Sequence, residues 1–192
     1  MQQYGSFEGD VETKWDGDGR RMTLLKSFAY VGPDSVRWDA PAGSVVDGAS
    51  IPQFAWSLIG GPFEGLYRDP SVIHDVACDA KVRAWESVHM AFYTAMLARN
   101  VNGIKAKVMY GAVYHFGPRW PLQLNIGRGG VSLVRDFTSI GRAAAFDLDA
   151  EATQPIEVEP APYSLAEGDF DRLRLAIEQG DLSLSDIRDF AG

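Results

Sequence analysis

The chain has 192 residues, 46% of them hydrophobic, enough for one substantial core and better suited to one main domain with an appendage than to two equal halves. No apolar run approaches the roughly 20 residues that span a bilayer, and the opening MQQYGSFEGD has neither a basic nor an apolar leader region, so neither a transmembrane segment nor a signal peptide is expected. The net charge of −8 sits almost wholly in residues 146–192, which hold twelve acidic against three basic side chains, and this balance argues against general nucleic-acid binding.

The first fifty residues read as antiparallel β-structure. FEGDVET, MTLLKSFAYV and SVRWDA are rich in β-branched and aromatic residues and are separated by the turn-forming DGDG, VGPD and APAG. Residues 47–67, DGASIPQFAWSLIGGPFEGLY, mix glycine and proline with large apolar groups, as an ordered loop packed on a core would. Asp69-Pro70 suggests a helix start with Asp69 as N-cap, and the helix should run to about Ala80.

From Arg83 to Arg99, the apolar face of Trp85, His89, Phe92 and Met96 predicts a second helix that turns His89 inward. A third helix is expected over about Ile104 to His115, stopped by Gly117-Pro118. GRGG then breaks the chain before a weakly amphipathic stretch. Residues 1–145 therefore form an expected α+β core, an antiparallel meander followed by an antiparallel helical bundle. Residues 146–163 read as an acidic, proline-containing linker. Residues 164–192 read as a short helical extension, opened by a capping box at Ser164 and Glu167.

Chemistry is concentrated on the first two helices. Ser71, His74, Asp75 and Cys78 lie along one stripe of the first, and His89, with Glu86 one turn before it, lies on the second. Antiparallel packing would bring His74, Asp75, His89 and Glu86 toward one site, with Asp47 and Ser50 arriving from the preceding loop. Such a set suits a divalent metal ion, calcium or zinc, or a histidine base activating water. Plainer readings stand beside it. His74 could be satisfied by a backbone carbonyl, Glu86 could be a surface carboxylate, and Asp47 could close its own turn. Cys78, the sole cysteine, excludes an intrachain disulfide and reads first as a small buried hydrophobe. His115 fits the favourable end of its helix dipole, and Trp56, Trp85 and Trp120 read as core anchors.

The string VDGASIPQFAWSLIGGPFEGLYRDPSVIHDVAC, with RAWESVHMAF and VMYGAVYHFG after it, resembles a family of bacteriophages, prophages and bacteria catalogued as domain of unknown function thirteen fifty-three. The resemblance covers about residues 5–120. It implies a phage setting, in host cytoplasm or virion, and marks Asp47, Ser50, His74 and Asp75 as the matching polar positions. Val46 stands where the family has Thr, and His89 where it commonly has Asp. A looser similarity is to secretory phospholipase A enzymes, in which a glycine-rich calcium loop precedes a helical His-Asp pair. Gly60 and Gly61 would be the loop glycines here.

Together these readings give an expected hydrolase-like site. His74 and Asp75 would be catalytic, Asp75, Asp47 and His89 would hold a metal, and Ser50, Glu86, Gly60 and Gly61 would support them. The rival expectation is a structural virion or assembly component with a non-catalytic polar cluster. In either case other phage proteins, or a host protein, are the expected partners, contacted through the acidic C-terminal segment.

Overall fold

A computed structural model describes residues 3–48, 50–55, 65–127, 130–133, 156–163, 165–180 and 182–191. The N-terminal strands, from Ser6 to Val46, are antiparallel and the centre is helical, the expected α+β arrangement. Strands β1 (Ser6–Glu8), β4 (Phe28–Val31) and β5 (Arg37–Ala40) form one sheet in the order β1-β4-β5. Strands β2 (Thr13–Trp15), β3 (Met22–Leu24) and β6 (Val45–Val46) form a second, β2-β3-β6. The register of the first sheet places Phe7 opposite Tyr30 and Tyr30 opposite Trp38. Gly5 sits at φ 85°, and a Cβ there would lie 2.2 Å from the Val31 carbonyl oxygen, so this approach of β1 to β4 admits only glycine.

Helices α1 (Arg68–Ala80), α2 (Trp85–Ala98) and α3 (Gly103–Phe116) follow, α1 packing on α2 and α2 on α3. The start of α1 differs from expectation. Asp69 does not cap it; its carboxylate instead pairs with Arg99 beyond the end of α2, which fixes the two helices relative to one another. Lys81 ends α1 in the left-handed region at φ 51°, and Asn100 closes α2 similarly at φ 60°. The N-cap of α3 is Asn102, whose side chain accepts from the backbone of Ile104 and Lys105 at 3.0 and 3.3 Å.

Arg128 and Gly129 of GRGG lie outside the described residues, and the strands on either side of them pair with one another. Strand β7 (Leu122–Gly127) turns back into β8 (Gly130–Leu133), and β9 (Ile156–Val158), from the segment read as a linker, pairs with the other edge of β7. Ser164 lies outside the described residues, and the capping box expected there lies outside them with it. A capping box does occur at Ser183 and Asp186, opening α5 (Leu184–Arg188) after α4 (Phe170–Gln179). These two helices lie on α3, where Leu173, Ile177 and Ile187 are fully or almost fully buried.

Two apolar clusters result. One joins α2 and α3 to the C-terminal helices through Phe92, Met96, Met109 and Leu173. The other packs Leu24, Phe28, Tyr30 and Trp38 of the sheets against Ile73 of α1 and Val88 of α2. The seam of α1 and α2 carries the buried His74 and His89. Among the described residues, no helix is long and apolar enough to cross a membrane.

Candidate functional site

The site begins with the turn after β6. Gly48 adopts φ 72°, a conformation that costs glycine little and other residues much. The turn aims two successive amides at one carboxylate oxygen. Asp47 N–H and Gly48 N–H donate to Asp75 Oδ2 at 3.0 and 2.6 Å, and the Ser50 hydroxyl donates to Asp75 Oδ1. Asp75 thus pins the 47–50 turn to α1. Burial raises its pKa, while the Ser50, Gly48 and Asp47 bonds pull it down.

Adjacent helical residues are about 100° apart, so the His-Asp dipeptide can reach both the turn and the next helix. His74 shares Ser50 with Asp75 and also faces α2. Its Nδ1 lies 3.1 Å from Ser50 Oγ and its Nε2 2.9 Å from His89 Nδ1 on α2. The ring rests against Phe92, centroids 4.6 Å apart, and His89 is met edge-on by Trp85 at 5.5 Å. Both imidazoles are essentially inaccessible. Burial drives the His74 pKa well down, with the nearby His89 adding to the effect. Burial likewise lowers His89 to about 3, against the Pro118 carbonyl, which favours its protonated form; the Arg119 charge lowers it further. Both rings are therefore neutral at ordinary pH.

Cys78, one turn beyond His74, completes the cluster. Its Sγ lies 3.6 Å from His74 Nε2, and burial pushes its thiol pKa up. One ligand atom from each of His74, Cys78 and His89 falls within 4.8 Å of the others, so these three buried side chains could hold a metal ion. The i, i+4 spacing of His74 and Cys78 was the sequence signal for this thiol; the apolar character of cysteine masked it.

The remaining candidates fall elsewhere. Asp47 contributes its amide, while its residue as a whole is exposed at the rim. Glu86 is exposed on α2 and lines a separate cavity with Asp34, Tyr110 and Arg188, so it does not join the histidines. Gly60 and Gly61 lie outside the described residues. His115 is buried in α3 with Nε2 2.6 Å from the Ile187 carbonyl, a link to α5 that helix-end electrostatics did not anticipate.

A cavity of about 500 Å³ opens onto the cluster, its wall including Asp47, Ser50, Asp75, Cys78, Lys81 and Pro118. Of the cluster, Ser50 and Cys78 reach the cavity wall, and His74 lies against both.

Residues 22–113, which include all six of Asp47, Ser50, His74, Asp75, Cys78 and His89, match the family model described as protein of unknown function (DUF1353). Two uncharacterized proteins of Sinorhizobium fredii are similar. One, y4jT, is 36% identical over 198 residues, covering 96% of this chain and 56% of its own length. The other, y4iH, is 42% identical over 104 residues, covering 54% of this chain and 44% of its own. The chain thus spans about half the length of these curated relatives. No solved structure matches.

Proposed function

We propose that this domain is hydrolase-like: the His74-centred cluster activates a nucleophile, assisted by a divalent cation, against an ester, lipid or cell-envelope substrate admitted by the adjoining cavity. The carrying observation is the convergence of two neutral imidazoles and a thiol directly behind a cavity of substrate size. Two mutually hydrogen-bonded imidazoles away from solvent make a poor proton reservoir and a good donor set, which favours metal assistance over simple acid–base work. Asp75 spends both oxygens on the 47–50 turn, so its part is to position rather than to attack or ligate. The test is His74→Ala, assayed with ester, phospholipid and peptidoglycan substrates in calcium and in zinc. Turnover should fall by orders of magnitude, and unchanged turnover removes His74 from the mechanism.

A second reading, a structural component of a phage particle or its assembly, draws on one observation. The Asp75 network ties a loop to a helix through three hydrogen bonds, as a scaffold would. In that case other phage proteins or a host protein would be met by the outer face of α4 and α5, where Asp171 and Glu178 stand beside Arg172 and Arg174, because the apolar faces are covered by α3. Mass spectrometry of purified particles separates the readings: stoichiometric copies support the structural role, and absence counts against it.

A further inference from the structure

We infer that His74 Nε2, His89 Nδ1 and Cys78 Sγ form a three-ligand site for a borderline divalent cation of the zinc type, open on its fourth side to the cavity, with Ser50, Asp75 and the Pro118 carbonyl as its outer shell. This deepens the hydrolase reading by naming the cation class and its ligands, and it makes His74 a ligand rather than a base.

Proton accounting carries the argument. Asp75 Oδ2 accepts two backbone amides and Oδ1 accepts the only proton of Ser50. Ser50 Oγ then accepts, so the proton of neutral His74 sits on Nδ1 and its Nε2 presents a lone pair. That lone pair faces His89 Nδ1 at 2.9 Å. Without a cation, His89 Nδ1 supplies the proton, and its Nε2 is left as a bare acceptor. This nitrogen is buried and has no hydrogen-bond partner, and the backbone group acting on the ring is the Pro118 carbonyl, itself an acceptor. The chain is one proton out of register at its inner end.

A cation between the rings removes the mismatch. His89 ligates through Nδ1, its proton moves to Nε2 and that N–H donates to the Pro118 carbonyl. Cys78 loses its thiol proton to solvent and ligates as thiolate, so one proton leaves for each cation bound. Each histidine then has a ligating nitrogen and an outer-shell acceptor, Ser50 for His74 and Pro118 for His89, the arrangement that fixes tautomer and ring orientation in metal sites.

Spacing shows what has to move. Tetrahedral zinc, from its ordinary bond lengths, sets ligand nitrogens about 3.3 Å apart and nitrogen and sulfur about 3.6 Å apart. Here the nitrogens are 2.9 Å apart, and Cys78 Sγ lies 3.6 Å from His74 Nε2 but also 3.9 Å from Nδ1, beside the ring, so loading asks the rings to part by a few tenths of an ångström and the Cys78 side chain to swing toward the Nε2 lone pair by roughly an ångström or more. Two imidazoles and a thiolate exclude calcium and magnesium, which take oxygen donors. Of the three ligands Cys78 reaches the cavity wall, beside Ser50 and Asp75, so the proposed opening for a water or substrate oxygen is on the Cys78 side.

The test is titration of the chelator-treated full chain with cobalt(II), followed by competition with zinc and with calcium. One equivalent of cobalt should bind, with a near-ultraviolet thiolate-to-cobalt band and the intense visible bands of a tetrahedral ion. Zinc should displace it and calcium should not. Cys78→Ser should abolish the near-ultraviolet band, and His89→Gln should weaken binding. Asp75→Asn should keep the band while lowering affinity by roughly 10–100-fold, the usual outer-shell effect. Absence of stoichiometric cobalt binding by the wild-type chain overturns the proposal, as does a band that survives Cys78→Ser. A cobalt-loaded chain with the thiolate band but no turnover of any substrate supports the site and overturns only the hydrolase reading.

Discussion

Stability of the metal-free chain should fall steeply as pH drops from 7.5 to 5, and His89 should account for a measurable share of the fall. Its folded-state pKa, lowered chiefly by burial, is about 3 against an ordinary 6.5. Between those values the unfolded chain binds a proton that the folded chain refuses. The stabilisation is therefore complete above 6.5 and is lost progressively as pH falls toward 3. At pH 5 the loss from His89 is roughly 2 kcal/mol, at about 1.4 kcal/mol per pH unit. His74 and His115, both lowered mainly by burial, act with the same sign. Asp75, raised chiefly by burial, acts oppositely: its share of stability is present below 3.8 and is lost as pH rises through its folded value. Urea unfolding in chelator at pH 7.5, 6 and 5 reads the effect. With a slope near 2 kcal/mol per molar, the His89 share alone lowers the midpoint by about 1 M at pH 5. His89→Gln removes that titration and should flatten the pH dependence by a similar amount. A wild-type midpoint that is level from pH 7.5 to 5, or a His89→Gln chain with the wild-type slope, would refute the reasoning.

Other perturbations test separate parts of the fold. Leu173, fully buried against α3, should cost about 2–5 kcal/mol on change to Ala, and a loss below about 1 kcal/mol in urea unfolding would show that α4 does not share the core. Asn102→Ala should cost about 1 kcal/mol and Asn102→Asp little, since either native or Asp side chain can accept from the first turn of α3; equal losses for both would exclude capping as the cause. Asp75→Ala should cost about 2–4 kcal/mol because it strands the buried Gly48 amide and the Ser50 hydroxyl, with Asp75→Asn milder. Faster amide exchange confined to residues 47 and 48 in Asp75→Ala would locate the damage at the turn, whereas unchanged exchange there would contradict it.

Local pattern carried the fold class and the helices. Trp85, His89, Phe92 and Met96 mark the buried face of α2 because a 3.6-residue period admits few other readings, and all four are buried. Strand pairing was less legible. β1 joins β4 across two intervening strands that belong to another sheet, and nothing in FEGDVET chooses that partner over its neighbour. The C-terminal helices were legible as elements but their seat was not: the acidic composition of the segment says nothing of where it packs, while three well-spaced apolar residues, Phe170, Leu173 and Ile177, suffice to seat α4 on α3. At the site, His74 and His89 were legible as an inward pair. The division of labour within His74-Asp75 was not, because it depends on which neighbour each side of α1 faces.

That division bears on why polar groups occupy this seam at all. Apolar residues of similar volume at positions 74, 78 and 89 would pack between Phe92 and Trp85 without any desolvation penalty, and would spare His89 an unpartnered nitrogen. A bare buried acceptor costs on the order of 1–3 kcal/mol, a sizeable part of the 5–15 kcal/mol that holds a typical domain folded. The Asp75–turn network does not remove it, since the chain of bonds runs from Asp75 through Ser50 and His74 to His89 Nδ1 and leaves the far nitrogen of the inner ring unpartnered. A cation present at a hundred times its dissociation constant would contribute about 2.7 kcal/mol through linkage, comparable with the whole penalty. The same event would supply the missing outer-shell bond at His89. The polar seam is thus a fault in the metal-free chain and a completed coordination shell in the loaded one, which is why its ligand set, more than the His-Asp dipeptide, is where function is sought.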